Sequence, residues 1–477
     1  MKGLGAGFQK PTSARVMLRS LLQKSSFREK IEAVKKIKVI GGGLAGPEAA
    51  LQAARFGCDV TLYEMRPHRS TEAHQTSDFA ELVCSNSLKS ESENTAPWLL
   101  KQEMRLAGSV LLKEADACAV PAGHALAVDR VEFSRRVAER IAAEPRITVV
   151  REEVTSLDET SDDTLTILAS GPLTSPALTT DLQRLTGTDY LSFYDSIAPV
   201  VDATTINMDR VYFKARWDKG SADYINCPFT KEEYEVFYNA LIAANEVESK
   251  EWEKLDYFEG CLPIEEIARR GKETLRFGCM KPVGLRYPGT EITPYAVVQL
   301  RQENLRADSY NLVGFQNHIK FGDQQRILRL IPGLENATFL RYGQIHRNTY
   351  INSPTLLNEQ LQLRQHPSIF IAGQLSGVEG YTESIAGGML AGRFAAAIAR
   401  GETPAPAPRL SAHGSLVHYI THTEAKRFQP ANITFDLLQP LEEELRKKVR
   451  DKKERHRIQC ERGIEAWNAW LSASTLS

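Results

Sequence analysis

Ile37-Lys38-Val39-Ile40 runs directly into Gly41-Gly42-Gly43-Leu44-Ala45-Gly46, and this junction restricts the fold more than any other feature of the chain. The apolar run reads as a short buried strand and Pro47–Phe56 as a small-residue helix. Asp59–Glu64 reads as a second strand ending in an acid. Together they make one β-α-β unit. Each glycine then has a mechanical task. Gly41 permits the tight exit from the strand, Gly43 lets backbone N–H groups approach a pyrophosphate, and Gly46 lets helix and strand lie close. Gly42, Leu44 and Ala45 complete the loop, and the helix N-terminus adds partial positive charge. Glu64 follows Gly43 by 21 residues, where a carboxylate can accept hydrogen bonds from ribose hydroxyls. That acid disfavours a 2′-phosphate, so FAD or NAD suits this site and NADP does not.

Further along, Arg130–Ala143 has helical periodicity, and Ile147–Val150 and Thr164–Ala169 read as strands. Ser170-Gly171-Pro172 closes the second of these at its carboxyl end, where open α/β sheets place ligands. From residue 202 to 344 the alternation stops, and aromatic and charged residues dominate. Ser368–Ala372 then returns as an apolar strand, followed by Gly373-Gln374-Leu375-Ser376-Gly377 and the small-residue helix Glu383–Ala399. A second glycine-rich helix start, here with Tyr381 and Glu383, can hold the flavin end of a long dinucleotide, which favours FAD over NAD. The expected fold is α/β: a Rossmann-like FAD-binding domain (37–201 and 345–408) with an inserted α+β domain (202–344). A basic leader (1–36) precedes it and a helical, basic C-terminal tail (409–477) follows.

The formal net charge of −1 over 477 residues means that a nucleic acid must meet a local basic patch. Arg446–Arg462 offers one, with nine Lys or Arg against Asp451, Glu454 and Glu461; a solvated surface helix is the plainer reading. Seven cysteines, an odd number without a Cys-x-x-Cys pair, speak for a reducing compartment. No His/Cys/Asp spacing argues for a metal, and no apolar stretch is long enough to cross a membrane. The leader is basic and free of acids as far as Arg28. It reads as a disordered segment, a start site placed too far upstream, or a transit peptide, so the expected location is cytoplasmic with an organellar alternative.

Across roughly residues 37 to 470 the chain resembles the TrmFO family of folate- and FAD-dependent tRNA (uracil-5-)-methyltransferases, relatives of the GidA flavoproteins. The resemblance rests on Gly41–Gly46, Tyr63–Pro67, Phe79–Leu88, Pro121–Arg130, Tyr224–Pro228, Phe258–Pro263, Met280–Leu285, Tyr295–Arg301, Asn311–Gln316, Arg341–Pro354, Ala372–Ser384 and Phe428–Pro430. Pro47, Cys279 and Ala431 depart from the usual serine, proline and methionine. Proline in a first helical turn is tolerated. The resemblance implies formation of 5-methyluridine in the T loop of tRNA. The carbon would come from 5,10-methylenetetrahydrofolate, with FAD as methylene carrier and NAD(P)H as reductant.

Uracil C5 is a poor nucleophile, and adding a thiolate at C6 turns C4–C5 into an enolate that can attack an electrophilic carbon. The resemblance assigns that thiolate to Cys227, in what reads as a rigid Asn226-Cys227-Pro228 turn. It sets Cys84 beside the flavin, either to deprotonate C5 or to guard the flavin. For each cysteine a buried core thiol is the alternative. His318 and His346 could meet folate or RNA, or be structural, and Lys281 and Arg301 could meet the folate tail or phosphates. Tyr224, Phe229, Tyr234 and Phe237 could stack on unpaired bases or fill a core. A target base has to be extruded to meet a thiol, so a basic-rimmed cleft between the domains is expected. The same chemistry on ribosomal RNA, a plain FAD oxidoreductase, and a flavin-containing RNA-binding protein without turnover are the other readings.

Overall fold

The computed structural model describes residues 35–157, 163–188, 191–247 and 262–474; the leader and Phe258–Cys261 lie outside these ranges. The chain enters through β1 (Lys36–Ile40), α1 (Ala45–Arg55) and β2 (Val60–Tyr63). Ala45 and Gly46, read from sequence as the end of the loop, already belong to the first turn of α1. A small antiparallel sheet follows, built from β3 (Ser87–Ser90), β4 (Ala119–Val120) and β5 (Ala125–Val128), with α2 (Ala96–Ala107) and α3 (Val110–Ala117) between its strands. After α4 (Arg130–Ala143) come β6 (Ile147–Val150) and β7 (Thr164–Leu168).

The chain then builds a second body. β8 (Leu191–Ser196) leads into β9 (Val200–Asp202), β10 (Tyr212–Phe213), β11 (Ile225–Phe229), β12 (Ala296–Gln302), β13 (Ser309–Leu312) and β14 (Phe339–Arg341). The last six form an antiparallel sheet in the order β10-β11-β12-β13-β9-β14. β15 (Ile345–Tyr350) runs back along β8, and β16 (Ile369–Ile371) rejoins the first sheet. That sheet has the order β16-β7-β1-β2-β6, and every neighbour is parallel. A parallel sheet needs cover on both faces, which explains why Ile37, Val39, Leu62, Ile167 and Phe370 are all buried.

α5 (Tyr381–Ala399) supplies part of that cover, lying against α1 with backbone on backbone. A Cβ at Gly388 would fall 2.2 Å from the carbonyl oxygen of Ala45, and one at Gly392 would fall 2.4 Å from that of Ala49. Buried carboxylates tie in the surrounding helices. Glu48 on α1 accepts from the N–H groups of Val110 and Leu111 at the start of α3. Glu103 on α2 accepts from Ala412 and His413 N–H at the start of α6 (Ala412–His422). Each satisfies helix-end donors that would otherwise be orphaned. Burial still pushes the Glu48 carboxyl above its ordinary range, against the pull of those hydrogen bonds.

The tail differs from the single basic helix read in the sequence. α7 (Glu443–Lys448) stops, and α8 (Lys452–Ala473) restarts with Asp451 capping the N–H of Glu454. Arg462 pairs with Glu442, Lys447 with Glu443, and Arg457 with both Glu454 and Glu461, so three of the nine basic side chains are paired locally. The opposite side of α8 buries Cys460, Gly463, Trp467 and Trp470, and the Trp467 indole donates to the Glu103 carbonyl at 2.7 Å. Among the described residues no helix is long and apolar enough to cross a membrane.

One buried acid gives the second body a pH signature. Glu265, on the short helix Ile264–Arg269, accepts from the His318 N–H at 2.5 Å, and its other oxygen is buried without a hydrogen-bond partner. Burial pushes its carboxyl up to about 7. The folded chain therefore holds this proton at pH values where the unfolded chain has already released it. The resulting stability is complete below about pH 4.5 and is lost as pH rises through about 7, a difference of about 3 kcal/mol. Glu265→Gln keeps an acceptor for His318 and cannot ionise. Denaturant melts of this variant between pH 5 and 8 are expected to lack that component of the slope.

Candidate active site

At the carboxyl edge of the parallel sheet lies a cavity of about 350 Å³, inside the usual range for small-molecule sites. Its walls are the loop Gly41–Ala45, Glu64, the turn Ser170–Thr174 after β7, Gly373 and Gln374 after β16, and Cys84, Ser85 and Tyr381. The glycines divide the work. Gly41 has a φ of +113°, and a Cβ there would sit 2.4 Å from the Ala169 carbonyl oxygen. A Cβ on Gly46 would lie 1.8 Å from the Gly41 carbonyl oxygen, so only glycine lets α1 start this close to β1. Gly43 alone in the loop has nothing within 4 Å of where its Cβ would point. That open space beside a helix N-terminus is a cradle for an anionic group, and it fits a dinucleotide pyrophosphate.

Glu64 takes Gly42 N–H at 2.7 Å, Arg66 N–H at 2.9 Å and the Arg66 guanidinium at 2.9 Å. Burial on its own would raise this carboxyl; the Arg66 charge and the two backbone donors outweigh it and hold Glu64 below its ordinary value. It is therefore an ionised acceptor on the cavity wall. In the second glycine segment Gly373 and Gln374 line the cavity, whereas Gly377 and Glu383 do not. Gly377 makes room for the Phe428 ring, which a Cβ would meet at 2.3 Å. Glu383 is buried and binds Lys89 Nζ at 2.6 Å and Ile433 N–H at 3.0 Å. Both positions brace the site from behind.

Cys84 is half-buried on the cavity wall. The Tyr381 hydroxyl oxygen accepts from the backbone N–H of Cys84 at 2.7 Å and of Ser85 at 3.2 Å, which fixes the loop that carries the thiol. Burial pushes the Tyr381 phenol up, so it keeps its proton. Arg130 and Arg341 both act electrostatically on Cys84 and Tyr381. Positive charge beside a thiol favours the thiolate.

Arg130 also grips the second body. It forms a two-pronged ion pair with Glu303 at 2.6 and 3.0 Å and donates to the Leu82 carbonyl at 2.7 Å. Asn86 completes the joint. Its amide nitrogen donates to the carbonyls of Val128 and Gln302, and its oxygen accepts from Arg301 and Asn311. Breaking a buried pair of this kind by removing one partner costs about 3–5 kcal/mol.

The structure does not bring Cys227 to this cavity. Asn226-Cys227-Pro228 is not a turn but the middle of β11, with Cys227 opposite Val298 of β12. Cys227 is 0 % exposed, in a core with Phe229, Tyr234, Phe237 and Met280. Burial pushes its thiol up, and Glu335 adds to the shift. A thiolate there would be desolvated without a cation. Phe229, Tyr234 and Phe237 are core residues and offer no stacking surface; Tyr224 donates its hydroxyl to the Ala122 carbonyl at 3.0 Å. Arg301 is committed to Asn86, His318 is buried against Glu265, Lys281 is exposed, and His346 sits on β15 opposite Asp195. Arg130, Arg341, Asn86 and Lys89 were not singled out from sequence. All four lie within the segments that carry the family resemblance or directly beside them, and that was their only signal.

A family model described as glucose inhibited division protein A matches residues 36–403. A protein of Koribacter versatilis called methylenetetrahydrofolate–tRNA-(uracil-5-)-methyltransferase TrmFO is 66 % identical, over 92 % of this chain and 99 % of its own. A protein of the same name from Solibacter usitatus is 59 % identical over 92 % of this chain and 99 % of its own. Among solved structures, Aquifex aeolicus GidA covers 94 % of this chain and 75 % of its own with a TM-score of 0.65, and at 16 % identity that likeness concerns the fold.

Proposed function

Because the chain belongs to the family of methylenetetrahydrofolate–tRNA-(uracil-5-)-methyltransferases TrmFO, we propose that Cys84 is the thiol that works at the uridine ring. The chain is a flavin-dependent methyltransferase that modifies uridine in tRNA, with methylenetetrahydrofolate as carbon source. The observation that carries the assignment of Cys84 is its place on the wall of the cavity formed by the glycine loop, with its backbone pinned by Tyr381.

FAD fits this cavity. Gly41–Gly46 would hold its pyrophosphate, Glu64 would accept from its ribose, and Gly373, Gln374 and Tyr381 would flank its flavin end. Bound there, FAD supplies the redox and one-carbon-carrying chemistry. The residues do the rest. The arginines favour the Cys84 thiolate, which takes the proton from C5 of the extruded uridine. Tyr381, kept protonated by burial, holds the Cys84 loop in register. Arg130 additionally binds Glu303 and so fixes the wall against the second body. The uridine lies in the T loop, NADH or NADPH provides the electrons, and the enzyme works in the cytoplasm.

The test is direct. Purified flavin-loaded protein is incubated with unmodified tRNA, labelled methylenetetrahydrofolate and NADH or NADPH, and the nucleosides are mapped. Labelled 5-methyluridine in the T loop is expected; an unlabelled tRNA beside labelled ribosomal RNA in a parallel reaction supplied with that RNA would overturn the choice of substrate.

Addition at C6 requires a second sulfur, and the burial of Cys227 speaks against that residue. Cys227→Ala is expected to keep methyl transfer per folded molecule within about twofold. It should lower stability by about 1 kcal/mol through the small cavity it leaves. Complete loss of turnover in a folded, flavin-loaded Cys227→Ala protein would restore Cys227 to the chemistry. Cys261 lies outside the described residues, and the same assay on Cys261→Ala decides whether it supplies the second sulfur.

A further inference from the structure

A cluster away from the cavity has the chemistry of a metal site. On α6, His418 and His422 stand one turn apart with their rings stacked, 4.4 Å between centroids and 16° between planes. Glu359, in the loop after the helical turn Ser353–Leu356, brings a carboxylate oxygen to 3.9 Å from His422 Nε2. One ligand atom from each of the three residues lies within 4.8 Å of the others. The carboxylate–imidazole separation is too long for a hydrogen bond.

The proton on His422 can be located from its neighbour. The Thr421 hydroxyl has a single hydrogen and gives it to the Val417 carbonyl at 2.7 Å. At 2.9 Å from His422 Nδ1, the Thr421 oxygen is therefore the acceptor, and Nδ1 carries the hydrogen. That leaves the lone pair of the neutral ring on Nε2, the atom nearer Glu359. A lone pair and a carboxylate facing each other without a hydrogen bond are two donors with room for a cation between them. Metal-bound histidines are commonly held by such a bond from the other ring nitrogen.

We propose that Glu359, His418 and His422 form a binding site for a divalent transition-metal ion, with zinc the best match. Two imidazoles and a carboxylate are a donor set that zinc takes with one position left open. Tetrahedral zinc asks for ligand atoms about 3.3 Å apart. The side chains of His422 and Glu359 are 46 % and 45 % exposed, so they can close the remaining distance. The nearby Arg409 is committed elsewhere, donating to the Ser415 hydroxyl and the Leu437 carbonyl. The ion would act as a clip between α6 and the loop that leads into β16. The three residues do not stand out as a set along the chain, because Glu359 is separated from the histidine pair by 59 and 63 residues.

The test uses the untagged, full-length, flavin-loaded protein after chelator treatment and dialysis. Titration calorimetry with zinc chloride is expected to show one ion per chain with a micromolar Kd, and saturating zinc should raise Tm by about 5 °C. His418→Ala and His422→Ala should each weaken binding at least tenfold and abolish the Tm rise, with flavin content unchanged. Cobalt in place of zinc should give visible absorption bands that both variants lose. Absence of saturable binding below 100-fold excess of zinc, or wild-type affinity in both histidine variants, overturns the proposal.

Discussion

Cys84→Ala is expected to lower methyl transfer by about 10²–10⁴-fold, the range for removal of a positioned proton acceptor, while the flavin stays bound. The thiol stands half-buried on the cavity wall. What fixes the local loop is the Tyr381 hydroxyl, which receives the backbone N–H groups of residues 84 and 85, and alanine retains both. The variant should therefore show the flavin absorbance and melting temperature of the parent. Single-turnover transfer from labelled methylenetetrahydrofolate to tRNA reads the chemistry apart from product release. A rate within tenfold of the parent would remove Cys84 from the proton transfer.

The second large effect separates two glycines three residues apart. At Gly46 an added methyl group would collide with backbone, 1.8 Å from the Gly41 carbonyl oxygen. The strand exit cannot give way, because Gly41 is itself locked against Ala169. On its other side α1 is pressed by Gly388, so the helix has nowhere to retreat. Gly46→Ala is expected to cost about 3 kcal/mol or more and to yield protein without flavin. At Gly43 the added methyl meets nothing in the chain. Gly43→Ala should fold with the stability of the flavin-free parent and yet lose flavin by about tenfold or more, because the methyl occupies the open approach to the loop. Equilibrium unfolding of the flavin-free proteins, set beside their flavin content after reconstitution, distinguishes the two. Normal flavin affinity in Gly43→Ala would mean that the pyrophosphate lies elsewhere.

The β-α-β entry was legible because its signals are local: an apolar run, a glycine loop, a small-residue helix and an acid at a fixed distance. The return strand before Gly373 was legible for the same reason. The local setting of Cys227 was misread because Pro228 suggested a turn where the chain forms a strand. Proline is excluded from the middle of most sheets, but β10 pairs only with Ile225 and Asn226, so the strand edge beside Pro228 has no ladder to interrupt. All five residues of β11 are buried, which removes the alternation that marks a half-exposed strand. Gly377 and Glu383 were read as cofactor contacts from proximity in sequence, and only the fold shows that they face Phe428 and Lys89 instead. The joint between the bodies left no local trace, since Arg130 and Glu303 are 173 residues apart and Asn86 and Gln302 are 216 apart.

That joint has a consequence for the nucleic acid. With Asn86 hydrogen-bonded across it and Arg130 joining Glu303 to the Leu82 carbonyl, the segment that carries Cys84 is tied to the second body before any RNA arrives. In the proposed reaction the strain of bringing a pyrimidine to Cys84 then falls on the RNA, which unstacks and swings out a nucleotide at a cost of a few kcal/mol. If the uridine is extruded as proposed, a loop that surrenders its base cheaply is the better substrate and an identical base in a stacked helix the poorer one.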